Sequence, residues 1–160
     1  MSGLLDFTAH LPEIELAAGD VLLREGERTG SIWILVSGRV DVVRDGVPIN
    51  TIDTPGAGFG EVAVLMDSDH SATVVAATDA RLRHARDGAA FLASSPEVLL
   101  FLAKGLAGRL DVITRYLADL RNQYAGAPGL DMVSDVLGRL VGQDGPPLQP
   151  GSARDPVPEY

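Results

Sequence analysis

The sequence contains no cysteine. That excludes a disulfide scaffold, thiolate zinc sites and a cysteine nucleophile. Positive charge is scarce: 13 Lys and Arg stand against 22 Asp and Glu, a formal charge of −9. Binding to a nucleic-acid backbone needs clustered Lys and Arg, so direct contact with DNA is not expected. No apolar run approaches the ~20 residues that span a bilayer. The opening Met1-Ser2-Gly3-Leu4-Leu5-Asp6 lacks the basic start and apolar stretch of a signal peptide. The expectation is a cytoplasmic protein with no membrane partner. His10, His70 and His84 are far apart, and no His-x-His pair accompanies a carboxylate, so no metal is expected. Ser71 has no recognisable His/Asp partners for hydrolysis. No enzyme is expected.

What the sequence does have is apolar content, 46% over 160 residues, enough for one domain with a real core. Three zones differ in pattern. Across residues 13–86, short β-branched stretches alternate with turn signals. The stretches are Val21-Leu22-Leu23, 32–36, 40–43, 47–52 and 73–75; Ala18-Gly19-Asp20, Glu25-Gly26-Glu27, Ser37-Gly38, Asp45-Gly46 and Thr54-Pro55-Gly56 separate them. Strands this closely spaced predict a sandwich or barrel rather than βαβ units. Asp45-Gly46 predicts a tight hairpin, because both residues tolerate positive φ. Trp33, in an apolar strand, is expected in the core, and Leu4–Leu11 is expected to hold a short helix.

Residues 87–125 switch to helical period, first in a short helix near 88–93, then in a long one from Pro96 to about Tyr124. Ser94 or Ser95 suits its N-cap, and Ser94 and Glu97 have capping-box spacing. Leu99, Ala103, Leu106, Leu110, Ile113, Leu117, Leu120 and Tyr124 recur at alternating steps of four and three, a heptad seam. About three and a half heptads exceed what a small barrel covers, so the seam predicts a homodimer through residues 96–124. Gly105 and Gly108 would weaken the helix by about 1 kcal/mol each, and allow a bend or a close backbone approach. After Gly126-Ala127-Pro128-Gly129, residues 126–142 are expected to hold a short amphipathic helix, a candidate docking segment for a protein partner. Residues 143–160 carry five of the ten prolines, at 146, 147, 150, 156 and 158, and are expected to be disordered. Residues 1–125 are thus the main domain.

The chemically richest stretch runs from Gly56 to Ala76. Its glycines do not form a dinucleotide fingerprint, since Glu61 occupies the last glycine position, and no GK[ST] follows. What remains is a glycine-rich loop, a short helix from about Glu61 to Met66, and a strand after Ser71. Two readings stay open on spacing alone. One is an anion site at exposed backbone N–H groups; the other is a capped barrel corner.

Phe59-Gly60-Glu61, the interval to His70, and Ser71-Ala72-Thr73-Val74-Val75-Ala76 resemble the phosphate-binding cassette of cyclic-nucleotide-binding domains. Gly19-Asp20-Val21-Leu22, Glu25-Gly26-Glu27 and residues 32–40 agree in order, so the resemblance covers about residues 5–124. It implies a mainly β fold, a double-stranded β-helix (β-roll or jelly roll) with a short N-terminal helix and a long C-terminal one. It implies cAMP or cGMP as ligand, bound by Phe59, Gly60, Glu61, Val62, Ala63, His70, Ser71 and Ala72. Glu61 would accept from the ribose 2′-OH. Gly60 would let the backbone approach the sugar. N–H groups around Val62 and Ala63 would meet the phosphate, and Ser71 would contact phosphate or base.

One departure stands out. The family usually has Arg, after Pro, where this chain has His70 after Asp69. An Arg forks onto phosphate oxygens and stays charged; a His does neither reliably. From Gly56 to Ala76 the formal charge is −3, from Glu61, Asp67 and Asp69, with no Lys or Arg. Arg81 or Arg83 on the next strand could compensate, although strand alternation is expected to aim one or both elsewhere. Two outcomes follow. Either nucleotide binds with help from a protonated His70 beside Asp69, and binding tightens as pH falls, or the cassette is degenerate and the fold is a dimeric protein-interaction module. After the long helix only about 35 residues remain, with Asp131, Asp135, Asp144, Asp155 and Glu159 against Arg139 and Arg154. That is too short and acidic for a winged helix in a major groove, so a stand-alone sensor without a DNA-binding domain is expected.

Overall fold

The computed structural model describes residues 3–125 and 131–141. The chain divides into two compact units, one ending at Lys104 and the other beginning at Gly105. Eight strands make up the first unit: β1 (Glu13–Leu16), β2 (Val21–Leu23), β3 (Ile32–Ser37), β4 (Val40–Arg44), β5 (Val47–Ile52), β6 (Gly58–Phe59), β7 (Thr73–Ala76) and β8 (Ala80–Ala85). They form two antiparallel sheets in the orders β1-β8-β3-β6 and β2-β7-β4-β5. The expected β-roll is present, with helix α1 (Leu4–Phe7) before it and α2 (Glu61–Met66), α3 (Gly88–Ser94) and α4 (Pro96–Gln123) within and after it. α5 (Asp131–Val141) lies in the second unit. The Gly126–Gly129 break and the tail from Gln143 lie outside the described residues.

Strand β3 organises the core. Ile32, Trp33, Ile34 and Leu35 are all buried, because alternate side chains enter two different apolar clusters. Trp33 and Leu35 join Leu23, Val40, Phe59, Val74, Ala80 and Leu82. Ile32 and Ile34 instead meet Leu4, Ala85, Phe91, Leu92, Val98 and Leu102, which lock the helices onto the sheet. Trp33 is thus core, as its sequence setting implies. The hairpin between β4 and β5 also follows the sequence: Asp45 and Gly46 sit at φ of 50° and 75°, the geometry a two-residue turn demands.

Helix α4 starts where expected. The carbonyl of Ser95 accepts the first helical bond, from Leu99. Ser94 is occupied elsewhere, its hydroxyl donating to the carbonyl of Phe91 at 2.8 Å. Val98 and Leu102 enter the core, whereas Leu99 and Ala103 of the heptad seam stay exposed. Further along, Leu110, Ile113 and Tyr124 are exposed as well, and Leu106, Leu117 and Leu120 are half-buried. Among the described residues, nothing lies within 4 Å of where a Cβ on Gly105 or Gly108 would stand. Among the described residues, no single helix is long and apolar enough to cross a membrane.

Candidate functional site

The cassette begins at β6, continues through α2 and ends at the start of β7. Its N-cap, Gly60, has a φ of +82°. A side chain there meets a second obstacle: a Cβ would lie 2.5 Å from the carbonyl oxygen of Ser31 and 3.2 Å from the Trp33 ring, so the backbone would have to shift. Packing against β3 therefore demands this glycine before any ligand does. The first amide bond across the helical turn runs from Val64 to the carbonyl of Gly60, 3.1 Å. The N–H groups of Val62 and Ala63 precede that ladder, and the helix dipole adds positive potential there.

Glu61 is buried at 3% exposure, in the first turn. The position a Cβ on Gly58 would take lies 4.0 Å from Glu61 Oε2, so the carboxylate folds back beside β6. Phe59 is buried in the roll and pairs with Trp33. Ala63 is buried, Val62 exposed, Ser71 exposed and Ala72 half-buried. The structure thus brings Phe59, Gly60, Glu61, Val62 and Ala63 together at one end of the cassette, and His70, Ser71 and Ala72 at the other. Trp33 touches both ends: it packs on Gly60, and its ring centroid lies 6.3 Å from that of His70.

His70 is 4% exposed. Its Nε2 and the hydroxyl of Thr29 share a hydrogen bond of 2.8 Å. Burial pushes its pKa below the usual histidine value, against the opposing pull of Glu27 and Asp69. Asp69 does favour the charged ring, as its place beside His70 suggests, but desolvation outweighs it. The two arginines of β8 do not serve the cassette. Arg81 faces Glu13 and Ser37, and Arg83 faces Glu13, the carbonyl of Leu5 and the Thr8 hydroxyl. Both project from the same face of β8, and Glu13 on the neighbouring strand draws both.

The cation that does reach the cassette is Arg28, from the loop between β2 and β3. It donates to Asp67 Oδ1 at 3.0 Å, to the Asp67 carbonyl at 2.8 Å and to Asp69 Oδ1 at 3.1 Å. Sequence reasoning missed it because the partners lie about forty positions apart. The available signal was two carboxylates in a stretch with no cation of its own. His84 was also unassigned. It stacks on Trp33 with centroids 5.0 Å apart and rings 6° from parallel. Its Nε2 is buried and makes no hydrogen bond to the described residues. Burial first, and Arg86 second, push its pKa down. Among the described residues, no group of three His, Asp or Glu is placed to hold a metal ion.

The site thus sits in a roll of two four-stranded sheets, interrupted by a buried glutamate on a glycine-capped short helix. Residues 13–89 match the family model of the cyclic nucleotide-binding domain. This part of the chain belongs to that family. Its relatives include the acetyltransferase Pat of Mycolicibacterium smegmatis, 39% identical over 79 residues, which are 48% of this chain and 24% of that protein. The cAMP-dependent protein kinase regulatory subunit of Yarrowia lipolytica is 35% identical over 66 residues, 41% of this chain and 17% of that protein. The chain thus spans about a quarter or less of these relatives' length. Among solved structures, the regulatory subunit of a cAMP-independent protein kinase A from Trypanosoma brucei superimposes with a TM-score of 0.54 at 26% identity. That match covers 59% of this chain and 35% of the other.

Proposed function

We propose that this chain is a cyclic-nucleotide sensor that binds cAMP or cGMP in the cassette and signals through α4. The observation that carries the reading is Glu61: a carboxylate buried in the first turn of a short helix, behind a glycine where a Cβ would crowd the Ser31 carbonyl. A buried carboxylate there is an acceptor for a sugar hydroxyl, and the N–H groups of Val62 and Ala63 are donors for a phosphate. Ser71 is exposed at the other end of the cassette, where its hydroxyl is open to the same ligand. His70, whose Nε2 bonds to Thr29, lacks the forked and permanently charged donors of an arginine. Absence of a charge-assisted bond to phosphate costs about 1.5–3 kcal/mol, or roughly ten- to hundredfold in affinity.

The chain acts as a regulatory module, not a catalyst, and pairs as a homodimer. Leu99 and Ala103 support the pairing, because the roll takes their neighbours Val98 and Leu102 and leaves the seam uncovered. Thermal melting and titration calorimetry with cAMP and with cGMP test the ligand. A ligand that binds only the folded state stabilises it by about 2.7 kcal/mol at a hundred times its Kd. Glu61→Gln is expected to weaken binding about ten- to hundredfold. No shift with either nucleotide at millimolar concentration overturns the reading.

A second reading is favoured by the burial of His70: the roll binds no nucleotide and serves as a dimeric interaction module. The same titration separates the two. A shift seen only after His70→Arg would mean that one missing contact had silenced an otherwise competent cassette.

A further inference from the structure

Both ends of α2 are fastened to one short segment, residues 26–33. At the N-terminal end, Ser31 and Trp33 close on Gly60. At the C-terminal end, the chain leaves the helix through Asp67, a non-glycine residue at a φ of 48°. Aspartate tolerates this left-handed geometry better than most side chains do. Arg28 holds the turn, with three N–H groups of one planar guanidinium on the Asp67 carbonyl, the Asp67 carboxylate and the Asp69 carboxylate. Immediately beyond, Gly26 donates to the carbonyl of His70 at 2.8 Å and His70 donates to the carbonyl of Glu27 at 2.9 Å. Thr29 holds the His70 ring. Ser71 and Ala72 follow directly in the chain.

We propose that Arg28 is a positioning residue for the cassette, a latch that holds residues 67–70 against the loop between β2 and β3 and so sets where Ser71 and Ala72 stand relative to the first turn of α2. Its consequence for ligand rests on the nucleotide-binding reading above. Each ion pair is solvent-exposed and individually weak. Their value lies in geometry: one flat group makes three bonds to two residues and fixes a backbone turn, which an ammonium cannot reproduce. Without Arg28, Asp67 and Asp69 would lose the cation that bridges them and repel each other two positions apart.

The test compares Arg28→Ala, Arg28→Lys, the Asp67→Asn/Asp69→Asn pair and their combination with Arg28→Ala. In the free protein, amide hydrogen exchange over 67–72 is expected to quicken about tenfold or more in Arg28→Ala, with β3 and β8 unchanged. Arg28→Lys is expected not to restore protection. The combined variant is expected to be no worse than Arg28→Ala alone, because all remove one interaction. Affinity for cAMP or cGMP is expected to fall about three- to tenfold in the same variants. Unchanged exchange over 67–72 in Arg28→Ala, full rescue by Lys, or additive effects would each overturn the latch. Quickened exchange with undiminished affinity would remove its positioning role toward ligand. If the wild-type chain takes no nucleotide, the ligand reading falls, and exchange alone then decides the latch.

Discussion

The two helices α2 and α4 present opposite problems. A helix of six residues is far below the length at which helices stand alone in water. α2 therefore exists because its neighbours hold it: Gly60 against β3, Asp67 against Arg28, Glu61 and Ala63 buried beneath. α4, at 28 residues, is long enough to persist with less help, yet beyond Leu102 it keeps a row of large apolar side chains in water. The short helix is held by contacts among the described residues, whereas the exposed apolar row of the long one supports the proposed pairing. On the proposed reading, ligand chemistry sits in a segment the fold constrains and assembly in one that it leaves open.

The comparison can be broken first at Gly60. Gly60→Val places carbon against the Ser31 carbonyl at a positive φ, and is expected to cost about 3 kcal/mol or more, measured by urea unfolding. A loss below about 1 kcal/mol would mean that α2 tolerates displacement and is not fixed as described. On α4, the Leu110→Asp/Ile113→Asp pair is expected to leave the roll's unfolding midpoint almost unchanged. It should raise the dimer dissociation constant about a hundredfold, roughly 2.7 kcal/mol, by analytical ultracentrifugation. A wild-type chain that sediments as a monomer at high concentration would overturn the homodimer.

The smallest expected effect concerns acidity. His70 and His84 both have pKa values pushed down by burial. The unfolded chain then binds more protons than the folded one once pH falls through the ordinary histidine range near 6.5. Stability is therefore fully present above that range and lost progressively below it, toward the lowered folded values. Unfolding midpoints at pH 8, 6 and 5 check this, and His84→Gln should flatten part of the slope. For the same reason, a gain in nucleotide affinity from charged His70 belongs below the ordinary histidine range, not at neutrality.

Much of the roll was legible because its signals are local. Asp45-Gly46 fixes a hairpin by itself, and the unbroken apolar run at 32–36 matches a strand buried on both faces. β1 and β6 did not stand out as individual strands. They have four and two residues, and their identity comes from pairing with β8 and β3. The cassette's sequence span was legible from its motif, and its charge balance was not. Counting charges along 56–76 gave an acidic loop. The guanidinium that answers it arrives from Arg28, and the arginines one strand away, Arg81 and Arg83, turn to Glu13 instead. Which imidazoles are desolvated was equally out of reach, since it depends on Trp33 stacking on His84 and Thr29 reaching His70 across the fold.

Trp33 is the only tryptophan in the chain, and it lies flat on one imidazole, near a second, and against the backbone that opens α2. Its fluorescence is therefore a native optical reporter. Protonating either ring should dim the emission, and any shift of the cassette should change its colour, with no label attached.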